Sequence, residues 1–212
     1  MLIGGDIAKL DGFLERLYRV YEFFRDNEVD SGTSRMIRKA VAEGDFSGLV
    51  KRLNQETQEL ARATFGTEVH SEEKLWPVRE VLEELKAGKD VDPNVVLEMN
   101  QVWYWSTSVA VAKGVPYREI NAASFLQPEK RYLEMDPFQH AFEIASSTGD
   151  ISTPAHFRRA LTFIAATAHS VKLPLEAFAL MDYRDMQKRP YYQLISHILN
   201  EGHKKAVARI KP

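Results

Sequence analysis

Apolar residues recur at steps of three and four along almost the whole of this chain, and that one regularity excludes most folds. Between Asp6 and Arg25, the residues Leu10, Phe13, Leu14, Leu17, Tyr18, Tyr21 and Phe24 share one side of a helix, with Lys9, Glu15, Arg16 and Arg19 on the other. The same period predicts helices over Phe46–Phe65, Leu75–Ala87, Asn94–Lys113, Phe138–Ser146, Pro154–Lys172, Pro174–Lys188 and Tyr191–Ala206. Shorter ones are expected over Thr33–Ala42 and Pro116–Phe125. Gly44, Gly66, Gly88 and Gly114 fall just past helix ends, Asp92–Pro93 reads as an N-cap and first helical residue, and Pro77 lies near a helix start. No stretch alternates polar and apolar residues long enough to make a convincing strand. The expected fold is all-α, a helical bundle.

A chain of 212 residues can bury a sizeable core as one large domain or two small ones. The segment LQPEKRYLEMDP, with two prolines, is the best boundary, dividing residues 1–126 from 127–212. VVLEMNQVWYWSTSVAVAKGVPYREINAA before it and HFRRALTFIAATAHSVKLPLEAFALMDY after it share a plan: a long aromatic-bearing helix, a turn containing lysine, a proline, then a short helix. A tandem repeat packed as a pseudo-dimer and a coincidence of two amphipathic helix pairs are both open. With 28 basic against 30 acidic residues the net charge is -2, so no whole-chain positive field exists to hold nucleic acid. Cysteine is absent, which removes disulfides, thiolate metal sites and thiol nucleophiles. The chain shows neither a leader pattern at its start nor an apolar run long enough to span a bilayer, so no membrane partner and a cytoplasmic location are expected.

The chain carries no glycine-rich phosphate loop, HExxH, GxSxG or EF-hand loop. The six histidines are scattered without an i, i+4 pair, and no zinc site is assigned. What remains is carboxylates on helices. Glu56 and Glu59 form an ExxE on one helix edge, Glu56 at the margin of the apolar stripe between Leu53 and Leu60, Glu59 further toward solvent. Glu98 falls between Trp105 and Val102 on the most apolar face of its helix. An unpaired ionised carboxylate there costs several kcal/mol or holds its proton, so Glu98 needs a partner. One partner is Mg²⁺, which takes carboxylate oxygens and bridges to phosphates. An arginine such as Arg52 or Arg62 is another, and an ExxE on a helix edge also reads as a solvated face. Glu80 and Glu83 form a second ExxE, read as solvated because Val78, Val81, Leu82 and Leu85 are that helix's apolar positions.

QETQELARA followed by LEMNQVWYWSTSVAVAKGVPYREI resembles the all-α nucleotide pyrophosphohydrolases, the MazG-like and phosphoribosyl-ATP pyrophosphohydrolase superfamily. Members carry an ExxE on one helix and an ExxD on a later one. Glu56 and Glu59 match the first motif and Glu98 opens the second, while Gln101 stands where the family has a metal-binding Asp. The resemblance covers roughly residues 46 to 125. It implies a MazG-like helical unit using Mg²⁺, or Mn²⁺, at Glu56, Glu59, Glu98 and Gln101 to hydrolyse a nucleoside triphosphate or related nucleotide between its α and β phosphates. The neutral Gln101 would weaken that binding, and a non-catalytic nucleotide-binding or interaction protein is the alternative.

Family members place basic residues after the metal helices to hold phosphates. Lys130, Arg131, Arg184, Lys188 and Arg189 are the residues of that kind here, and a solvated helix end explains them equally. Trp103, Tyr104 and Trp105 are consecutive, so they point to different sides of their helix and cannot all be core. One of them, Trp105, is the candidate to stack a base. Packing against a neighbouring helix or a second subunit, as in a homodimer, is the other role open to them.

Overall fold

The computed structural model describes residues 4–87, 90–149 and 154–208. Among these, twelve helices and no strand are present: α1 (Gly4–Asp26), α2 (Gly32–Glu43), α3 (Ser47–Thr64), α4 (Glu72–Glu84), α5 (Pro93–Ala112), α6 (Tyr117–Ile120), α7 (Ala122–Phe125), α8 (Lys130–Leu133), α9 (Pro137–Ser147), α10 (Ala155–Ser170), α11 (Ala177–Gln187) and α12 (Tyr192–Ala208). The fold is an all-α bundle. Among the described residues, no helix is long and apolar enough to cross a membrane.

Caps set several boundaries. Ser31 accepts a hydrogen bond from the Ser34 amide at α2, and Asp92 accepts one from the Asn94 amide at α5, each satisfying a donor that the first turn leaves free. Gly44, Gly66 and Gly114 all adopt positive φ, the left-handed conformation that costs least without a Cβ. Gly88, the expected stop after the fourth helix, lies outside the described residues.

Three boundaries differ from expectation. Asp136 caps α9 through the Phe138 amide, with Pro137 as its first residue, so the second proline of the boundary segment starts a helix as Pro93 does. The helix expected to begin at Leu75 starts at Glu72, putting Pro77 inside it; Glu73, whose carbonyl loses its partner, is exposed. The helix expected over Pro116–Phe125 is two turns broken at Asn121, whose φ is +55°.

At the centre lies α5, packed against α1, α2, α3, α4, α10 and α11. Sixteen of its twenty residues are buried, as expected of a helix that is apolar on every side. Trp103, Tyr104 and Trp105 are, as expected, not all core. Trp103 and Trp105 are buried and Tyr104 is half-buried, because neighbours cover α5 all round. Residues from both sides of the boundary segment join one core, in which Trp103 meets Phe157 and Phe178 at ring separations of 5.5 Å.

Candidate metal centre

On α3, Leu49, Leu53, Thr57, Leu60 and Ala61 are buried, and the stripe they form is the one packed on α5. The two helices run antiparallel. Arg52, early in α3, lies over the ring of Trp105 at 5.9 Å, whereas Glu56 and Glu59, later in α3, meet Glu98 near the start of α5. One oxygen from each of these three carboxylates lies within 4.8 Å of the others. Glu56 and Glu98 are buried, as their wheel positions require. Glu59 was expected to face solvent, yet its side chain is only 17% exposed. It is drawn inward by the Gln55 amide, which donates to it at 2.9 Å, and by Arg62 at 3.6 Å.

Glu98 pairs with neither Arg52 nor Arg62. Arg62 instead bridges Glu59 and Glu68, and Arg52 bonds Gln55. The partner of Glu98 Oε1 is the Nε2 of His70, a residue that no period or motif selects. His70 is itself fixed: its amide donates to Asn94 Oδ1 at 2.8 Å, and Asn94 Nδ2 donates to the α5 cap, Asp92, at 2.8 Å. Glu98 Oε2 is buried with no hydrogen-bond partner.

Burial, then the charges of Glu59 and Glu98, push the Glu56 carboxyl up to about 8. Burial, then Glu59 and Glu68, push Glu98 up to about 8 as well. Three converging carboxylates, one of which has a buried and unsatisfied oxygen, form a donor set that suits a hard divalent cation. The group could bind a metal ion, and its residues do not by themselves distinguish Mg²⁺ from Mn²⁺.

Gln101, one turn beyond Glu98, lines a cavity of about 660 Å³ on the adjoining flank of α5. Trp105, Arg184, Lys188 and Arg189 line the same cavity. The three cations there are already partnered: Arg184 holds Glu84 at 2.7 Å, Lys188 holds Glu80 at 3.2 Å, and Arg189 holds Asp185 at 2.7 Å. Glu80 of the second ExxE thus serves an ion pair at the surface. Lys130 and Arg131 are not among the cavity's residues. They stand on α8, which packs on α10, where they pair with Glu134 and Glu129.

The cavity also brings in Lys74, whose charge bears on Glu98, and Asp182, which is 4% exposed. Sequence spacing selected neither. Asp182 opens the segment DYRDMQKRPYY, which also holds Arg184, Lys188 and Arg189, but its burial depends on α11 docking against α5. Comparison with protein-family models, curated proteins and solved structures finds no match for this chain.

Proposed function

We propose that the chain is a Mg²⁺-dependent nucleotide pyrophosphohydrolase, cleaving a nucleoside triphosphate or related nucleotide between the α and β phosphates. The observation that carries this reading is the convergence of Glu56, Glu59 and Glu98 from antiparallel helices, with Glu98 Oε2 left unsatisfied. These three residues would hold the cation, and Gln101 would add only a neutral oxygen beside them. When bound, the cation supplies polarisation of phosphoryl oxygens and a lowered pKa for its water.

The protein's own groups do the positioning. His70 fixes the rotamer of Glu98, Gln55 and Arg62 fix Glu59, and Lys74 brings a positive charge to the edge where phosphates would enter. Pyrophosphate release from a panel of nucleotides with Mg²⁺ or Mn²⁺ tests the reading. Turnover is expected, and Glu98→Gln should abolish it while thermal unfolding stays cooperative. No turnover of any nucleotide, together with no cation binding by calorimetry, removes the proposal.

Gln101 favours a second reading, nucleotide binding without turnover, because it leaves the ligand set one charge short of the family's pattern. A thermal shift with nucleotide and no hydrolysis would select it, and a ligand at 100 times its dissociation constant should add about 2.7 kcal/mol.

A further inference from the structure

The cavity beside the carboxylates, about 660 Å³, is large enough for a nucleotide-sized ligand. Its walls and its floor ask for different things. Tyr104, Trp105 and Tyr191 present aromatic rings, and the Tyr104 hydroxyl is already tied to Thr33. On the floor, the Asp182 carboxylate accepts from the Tyr21 hydroxyl at 3.0 Å and from the Trp103 indole at 2.8 Å. Two donors do not exhaust the roughly four acceptor positions of a carboxylate. At the rim Arg35 pairs with Asp30 and Lys188 with Glu80, and Lys74 adds a further positive charge, which favours a ligand that carries phosphate over one that is itself a cation.

We propose that this cavity binds an aromatic heterocycle bearing an exocyclic amino group, the ring of an adenine or cytosine nucleotide, with that amino group donating to Asp182. A keto oxygen in the same place would face the carboxylate acceptor to acceptor, and a site built this way rejects it. The ring lies between Tyr104, Trp105 and Tyr191, and its phosphates leave along Lys74 toward Glu98. Only that last step rests on the proposed function, since holding the ring needs no cation. Above pH 7 the floor is anionic: burial raises the Asp182 carboxyl only to about 7.

The experiment is calorimetry of the full chain at pH 8 in EDTA with the monophosphates of adenosine, cytidine, inosine and uridine. One amino-bearing nucleotide, adenosine or cytidine monophosphate, should bind at least tenfold more tightly than its keto counterpart. Asp182→Asn, whose amide can donate, should erase or reverse that preference. Met36→Trp, which fills another part of the cavity lining, should weaken all four alike and keeps the test decisive if the Asn variant does not fold. Equal affinities, a preference for the keto bases, a preference that survives in Asp182→Asn, binding untouched by Met36→Trp, or no binding of any of the four overturns the proposal. Because no cation is present, these outcomes are independent of whether the carboxylate cluster hydrolyses anything.

Discussion

Glu98 is held between two opposing demands. Without a cation it is a buried carboxylate facing two others, and with one it becomes a ligand already aimed by His70. Above pH 8 in EDTA, where Glu98 has lost its proton, Glu98→Gln should therefore raise the thermal midpoint by roughly 2–4 °C per kcal/mol of relieved repulsion, and the same variant should lose any midpoint rise with Mg²⁺. A scanning-fluorimetry pair with and without cation reads both. His70→Ala frees the Glu98 side chain without removing a carboxylate, so calorimetry should show a cation affinity lower by about 10- to 100-fold. Asp182 gives the pH prediction. Its folded-state pKa, about 7, lies above the ordinary 3.8, mainly through burial, against the hydrogen bonds of Trp103 and Tyr21 and with the charge of Asp185. A raised acid contributes stability in full below 3.8, and this is lost as pH rises through about 7, at up to about 1.4 kcal/mol per pH unit. Glu56 and Glu98 act in the same sense, so the comparison is between proteins: urea titrations from pH 5 to 8 should show a shallower fall in Asp182→Asn than in the parent. At this scale Glu56 and Glu98 were legible because each breaks an apolar stripe. His70 was not, since it belongs to the stretch between α3 and α4, where no period constrains which side chain reaches the site.

Element boundaries follow from caps, and the caps also tie the candidate site to its scaffold. Asp92 accepts from both the amide and the side chain of Asn94, and the Asn94 side-chain oxygen in turn holds the backbone of His70. Asp92→Ala should cost about 1 kcal/mol of stability by chemical denaturation, the usual loss for an N-cap. It should also weaken cation binding although Asp92 is no ligand. A loss of stability with unchanged cation affinity would show that the cap and the site are uncoupled. The Asp–Pro pair at α5 was readable in the sequence because side-chain oxygen and fixed φ both act within two residues. The same pair at 136–137 falls inside the boundary segment, where two prolines suggest a break unless the capping Asp136 is weighed with them. Schellman-type ends cannot decide whether the chain is an internal repeat. After α5 the Val115 amide bonds back to Ala110, and after α10 the Leu173 amide bonds to Ala168, but α3 and α4 end the same way through Thr67 and Ala87.

For the molecule as a whole, the question is whether residues 1–126 form a unit of their own. The sequence marks a boundary there because local composition changes. Packing, which local composition does not encode, crosses it at several points. Trp103 is fully buried against Phe157 and Phe178, Tyr18 packs its ring on Phe157, Asn100 donates to the Phe178 carbonyl, and Tyr21 and Trp103 both donate to Asp182. Removing 127–212 would uncover all of these at once, on the central helix and on α1. An aromatic side chain alone buries about 150–250 Å², and at about 25 cal/mol per Å² such a loss over several residues rivals the whole stability of a domain. Residues 1–126 expressed alone should therefore bind a hydrophobic dye, show tryptophan emission shifted to the red, and melt without a cooperative transition. The full chain should unfold in one transition seen alike by circular dichroism and fluorescence. A sharp, native-like melt of the fragment would show that the two parts fold independently. Failure of the fragment would place Glu98 on a helix that the second part of the chain holds in shape, so that substitutions such as Phe178→Ala, outside the cluster, would weaken cation binding through α5 rather than through any contact with the ion.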